Sequence, residues 1–115
     1  AVLFNTTNGG AGFSGSTLLS LEDEEFDLIF IDGGHSYNTV KNDWVSSSRL
    51  ISQKGAIFFD DYTNSKGEKF TGFGINKVVD GIDKSEWNVE VLPICDYFLK
   101  EWGILSLRIV KVNRK

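Results

Sequence analysis

The chain has 115 residues, enough for one domain with its own core, and carries a formal net charge of −4, with 24% charged and 41% hydrophobic residues. That balance excludes a disordered polymer, and basic residues scattered along an acidic chain speak against a nucleic-acid partner. A single cysteine leaves no disulfide framework or thiolate metal cluster, and no apolar run approaches the roughly 18 residues of a membrane span, so a cytoplasmic protein is expected.

The chain starts at Ala1 and contains no Met, which suggests processing or a fragment of something longer. Residues 1–5 read as a short strand, followed by turn chemistry in Asn5-Thr6-Thr7-Asn8-Gly9-Gly10. Gly10-Ala11-Gly12-Phe13-Ser14-Gly15 matches the dinucleotide pattern G-x-G-x-x-G. That pattern needs a buried strand before it and a helix after it, whereas here the upstream strand is weak. Residues 16–21 allow only about two helical turns before the acidic run 22–25. Residues 1–15 are therefore read as a flexible N-terminal segment, with a nucleotide-binding module as the weaker alternative.

Phe26-Asp27-Leu28-Ile29-Phe30-Ile31-Asp32-Gly33-Gly34-His35 is the central stretch. A continuous apolar run punctuated by glycine predicts a strand over 26–32 buried on both faces, as in a parallel sheet. Tyr37, Val40, Trp44 and Ile51 recur at near-helical spacing, so a helix is expected over 37–52 with Ser36 as N-cap and Gly55 as its terminator. Asp43 on that helix is expected to face solvent. A second apolar strand, 56–60, ends in Asp60-Asp61. The spacing of the two strands fits one βαβ unit of about 30 residues, which makes them parallel.

The polar stretch 63–74 reads as a mobile loop, whose Phe70 and Phe73 dock it or, as the weaker alternative, cover a site like a lid. Ile75, Val78, Val79 and Ile82 then predict a short amphipathic helix over 75–83. Alternation over 87–94 and 104–112, around a connection of about ten residues, predicts an antiparallel pair, with Pro93 ending its first strand. The whole is a single α/β domain over 1–115, a parallel sheet finished by an antiparallel edge.

In an open α/β sheet, ligands bind at the carboxyl ends of the strands. Neighbouring strands lie about 4.8 Å apart, so Asp32 and Asp60 emerge together with Asp61 beside them. Three carboxylates that close either take up a proton or hold a cation, and an all-oxygen set suits Mg²⁺ or a similar hard divalent ion. Successive strand residues point to opposite faces, so Asp60 and Asp61 share one ion only if the chain turns there. His35, the only histidine, is a candidate general base. The bland alternative is that Asp61 caps a turn, Asp32 satisfies loop amides and His35 is a surface residue.

The run from Phe26 to Tyr37, the helical Asp, and Gly55-Ala56-Ile57-Phe58-Phe59-Asp60-Asp61-Tyr62 together resemble the class I S-adenosylmethionine-dependent methyltransferases. The resemblance covers about residues 14–112 and is closest to a cation-dependent O-methyltransferase branch with an IDG-x-H-x-Y … DD signature. It implies a Rossmann-like sheet, S-adenosylmethionine as cofactor, a small-molecule hydroxyl as acceptor, a divalent metal on Asp32, Asp60 and Asp61, and His35 as the base. It also implies that this chain holds only the C-terminal half of that fold. The glycine turn and the acidic residue that build most of the cofactor pocket would come earlier, so no cofactor-binding residue is assigned. A sheet edge left open by the missing half predicts a homo-oligomer formed through that edge. Two readings result: a methyltransferase domain completed elsewhere, or a non-catalytic α/β remnant that oligomerises and binds no cofactor.

Overall fold

The computed structural model describes residues 2–5, 9–12, 26–32, 36–63, 74–101 and 103–115. Their elements are β1 (Val2–Asn5), β2 (Gly9–Gly12), β3 (Phe26–Ile31), α1 (Tyr37–Leu50), β4 (Ile51–Thr63), α2 (Gly74–Asp80), β5 (Trp87–Lys100) and β6 (Gly103–Arg114). The strands form one mixed sheet in the order β2-β1-β3-β4-β6-β5. β3 and β4 are parallel, as the βαβ spacing requires, and every other neighbouring pair is antiparallel. This is a mixed α/β architecture consistent with an incomplete Rossmann-like fold. No helix among the described residues is long and apolar enough to cross a membrane.

The core lies where the two helices cover the sheet. Ile29 and Ile31 of β3, Ile57 and Phe59 of β4, and Val110 and Val112 of β6 are essentially inaccessible and pack with Val40, Leu50, Ile75 and Val79. The strand expected to be buried on both faces alternates instead: Ile29 and Ile31 are buried, while Leu28 is exposed and Phe30 only half-buried. Trp44 of α1 ties the layers together, with its ring 5.8 Å from that of Phe59 and 5.1 Å, edge-on, from that of Trp87.

Helix α1 starts as its sequence indicates. Ser36 is its N-cap, accepting from the Thr39 N–H at 3.3 Å, and its hydroxyl donates to Thr39 Oγ1 at 2.8 Å. Its end differs from expectation. The helix stops at Leu50, and Ile51, already extended, opens β4. The buried stripe Val40, Asp43, Ser47 and Leu50 runs at helical spacing, so Asp43 faces inward and not solvent. Arg114, from the last strand, closes the helix C-terminus: its guanidinium donates to the Ser48 carbonyl at 2.7 Å and lies over the Trp87 ring.

Several elements run longer or shorter than the sequence pattern. β4 covers thirteen residues in place of 56–60, and α2 only seven in place of 75–83. β5 and β6 pair from Trp87↔Arg114 to Lys100↔Gly103, so a tight turn replaces the ten-residue connection. Gly103, with φ of 142°, takes a backbone conformation that L side chains rarely adopt. Pro93 does not end β5 but sits at a register shift between Val91 and Cys95, where an edge strand tolerates a missing donor.

Two corrections concern the N-terminal part. Within the segment read as a flexible loop, Gly9–Gly12 is a strand paired with Val2–Asn5. Val2–Phe4 in turn pairs with Leu28–Phe30, so the chain itself covers the edge of β3 that was expected to be open. The loop aromatics Phe70 and Phe73 lie outside the described residues.

Gly55 has a packing role in place of the expected helix-terminating one. A Cβ there would meet the Asp27 carbonyl oxygen and Ile51 Cδ1, each at 2.7 Å. Gly55→Ala is therefore expected to lower stability by about 1–3 kcal/mol, the usual cost of overpacking, measured by urea unfolding.

Candidate metal centre

The end of the parallel pair builds the site. β3 and β4 are in register at Ile31↔Phe59, which brings the next residues, Asp32 and Asp60, side by side. The β4–β6 ladder then shifts register between Phe59 and Tyr62, and Asp61 adopts φ of 62°. Asp61 is thus a left-handed residue directly after Asp60, and Asp tolerates this region better than most side chains. Asp32, Asp60 and Asp61 each offer a carboxylate oxygen, and the three atoms lie within 4.8 Å of one another. Asp32 is exposed and the other two half-buried.

The electrostatics follow from the crowding. The Asp61 N–H donates to Asp60 Oδ1 at 2.8 Å and favours the charged form of Asp60. Burial outweighs that bond and raises the Asp60 pKa above the usual carboxylate value, with further upward pushes from Asp61, Asp32 and Asp96. A cation among these groups would relieve both effects. An ion bound through oxygen spans at most about twice its metal–oxygen distance, roughly 4.2 Å for Mg²⁺ and about 5 Å for Ca²⁺. Three oxygens within 4.8 Å of one another are close enough to serve one such ion once the side chains draw in around it.

Helix α2 braces the strand behind the acids. The Asn76 side chain accepts from the Thr63 N–H at 2.9 Å and donates to the Thr63 carbonyl at 2.9 Å, as a neighbouring strand would. The Tyr62 hydroxyl donates to Asp80 Oδ1 at 2.7 Å. Burial, and then that carboxylate, push the Tyr62 pKa up to about 12. Asn76 and Asp80 escaped sequence reasoning, because polar residues on an amphipathic helix carry no mark of the backbone they face. His35 lies outside the described residues. A cavity of about 370 Å³, lined by Gln53, Trp87 and Arg114 among others, opens near the start of β4, away from the acids.

Comparison with known proteins bears on this end of the sheet. Residues 6–62 match a family described as a methyltransferase domain. The match supports a methyltransferase family. It runs through β3, α1 and β4 and ends just after Asp60 and Asp61, so the methyltransferase-like segment contains all three acids. An uncharacterized protein of Acanthamoeba polyphaga mimivirus is 32% identical over 62 residues, 54% of this chain and 28% of the viral protein. The chain thus spans well under a third of that relative's length.

Two outcomes are expected. Asn76→Ala removes the amide's two bonds to the Thr63 backbone and its longer one to the Thr63 hydroxyl, and should cost about 1–3 kcal/mol in urea unfolding, the usual worth of that many part-buried hydrogen bonds. Asp60 carries a raised folded pKa, so the folded chain holds its proton more tightly than the unfolded one. Stability is therefore lost as pH rises from the ordinary Asp value through the raised one. Asp60→Asn should melt higher than the parent at neutral pH without divalent cations, and the gap should vanish in scans below the usual Asp pKa.

Proposed function

We propose that the chain is the acceptor-side part of an S-adenosylmethionine-dependent O-methyltransferase that acts on a small-molecule hydroxyl with the help of a divalent cation. The observation that carries this reading is the convergence of Asp32, Asp60 and Asp61 within 4.8 Å, just past the carboxyl end of the parallel β3–β4 pairing inside the methyltransferase-like segment.

In this reading, Asp32, Asp60 and Asp61 hold the cation, with water or the acceptor filling its other positions. Bound there, the ion would acidify and orient the acceptor hydroxyl, and S-adenosylmethionine would supply the electrophilic methyl group. Asp61 matters through its backbone as well as its charge: its left-handed turn aims its carboxylate at the same point as that of Asp60. Asn76 and Asp80 keep the strand end fixed, so the acids need little reorganisation on binding. His35, three residues beyond Asp32 in sequence, is the proposed base that takes the hydroxyl proton.

Calorimetric titration tests the proposal in two independent arms. Mg²⁺ or Ca²⁺ should bind the parent chain, and Asp32→Asn or Asp61→Asn should weaken that binding at least about tenfold. S-adenosylhomocysteine, the demethylated cofactor, tests the cofactor half separately. A chain that binds neither would fit the non-catalytic remnant and overturn the catalytic assignment.

A further inference from the structure

We propose that a hollow at the amino end of β4, on the sheet face turned away from the helices, is a seat for a phosphate-type oxyanion. It is a cavity of about 170 Å³ lined by Gln53, Lys54, Gly55, Ala56, Lys111 and Asn113. Lys54 lies about 20 Å of extended chain before Asp60 on the same strand, so the hollow is separate from the acidic centre.

Strand alternation builds it. On β6, Val110 and Val112 are buried against the helices, so Lys111 and Asn113 face the other way. Ala56 precedes the buried Ile57 on β4 and faces that same side, and the two strands are held in register there by Phe58↔Lys111. Ala56 and Gly55 leave the floor low, while the long side chains of Lys54 and Lys111 stand at its rim.

The lining selects an anion. No carboxylate borders the cavity, although the chain carries 16 acidic residues against 12 basic ones. Among the described residues no carboxylate forms an ion pair with Lys54 or Lys111; Glu90, opposite Lys111 in the β5–β6 ladder, is exposed and does not pair with it. Two like charges across so small a hollow repel, and an anion between them relieves both. Lysine acts toward phosphate as a point charge, and the carboxamides of Gln53 and Asn113 add directional donors. Asn113 gives one of its two amide hydrogens to the Arg114 carbonyl at 3.2 Å and keeps the other. An anion with several oxygens and more than one charge matches this set better than a single carboxylate does. The larger cavity of about 370 Å³ also reaches Gln53, which gives room for the organic part of a phosphate monoester.

Titration of the isotope-labelled chain with inorganic phosphate at low salt, followed by amide NMR shifts, tests this. The Gly55 and Ala56 signals should move saturably at millimolar phosphate. Lys54→Gln and Lys111→Gln should each weaken the binding at least about tenfold, the usual effect of losing a hydrogen bond from a charged group. Lys41→Gln, which removes an equal charge from an exposed position on α1, should leave it unchanged. Lys54 is itself exposed, so its variant decides the test if circular dichroism shows the Lys111 variant unfolded. Glycerol 1-phosphate separates the two sources of the oxyanion: tighter binding than inorganic phosphate supports a phosphorylated small molecule, and equal or weaker binding supports the free ion. A parent chain without saturable binding, or an equal loss in Lys41→Gln and Lys54→Gln, would overturn the proposal.

Discussion

The parallel pairing of β3 with β4 is the constraint on which the site depends. Ile29 sits opposite Ile57 and Ile31 opposite Phe59, and all four side chains are fully buried. Each such burial is worth about 1.5–3 kcal/mol, whereas two like charges about 4 Å apart at a wet surface repel by only about 1–4 kcal/mol. The core therefore sets the register, and the acids accept the closeness that follows. A one-residue slip would turn the buried isoleucines toward solvent and separate Asp32 from Asp60. What looks like an electrostatic defect is thus enforced by apolar packing some residues away.

The same packing explains which features could be read from the sequence. The two strand-end motifs were legible because each joins an apolar run to an acid, and parallel neighbours have matching ends. Ser36 was legible as a cap because its chemistry is local. Burial of Asp43 was not, since a charged residue reads as solvent-facing unless its place on the buried stripe is given more weight than its charge. In sequence, Tyr97, Phe98 and Leu99 read as a connection and not as an extension of β5, because these apolar residues do not alternate with polar ones. Strand β6 supplies the partner that keeps them extended. Gly55 illustrates the limit most directly: a glycine after a helix is a sound terminator signal, but the contact that demands it comes from Asp27, on another strand.

Trp44 and Arg114 show how distant parts of the chain are made to agree. The Trp44 ring meets Phe59 from β4 and Trp87 from β5, linking the acid-bearing strand to the outer ribbon through α1. Arg114 reaches back from the end of β6 to the Ser48 carbonyl in the last turn of α1 and, more weakly, to the Ile51 carbonyl that opens β4. Its charge also suits the negative end of the helix dipole. The last strand therefore fixes the helix that crosses between the two central strands.

The geometry of Asp61 has its own structural support. A left-handed non-glycine residue costs on the order of 1–2 kcal/mol, so some interaction must hold it in place. The Asp60 carboxylate offsets part of this by accepting the Asp61 N–H, but the same bond ties up an oxygen of the group whose burial disfavours its charge. The remaining support lies downstream, where Asn76 pairs with both backbone groups of Thr63 and Asp80 accepts from Tyr62. Helix α2 therefore pins the two residues after Asp61 and limits the ways the turn can relax. The three carboxylates stay convergent because a neutral amide on a separate helix holds the strand that carries two of them.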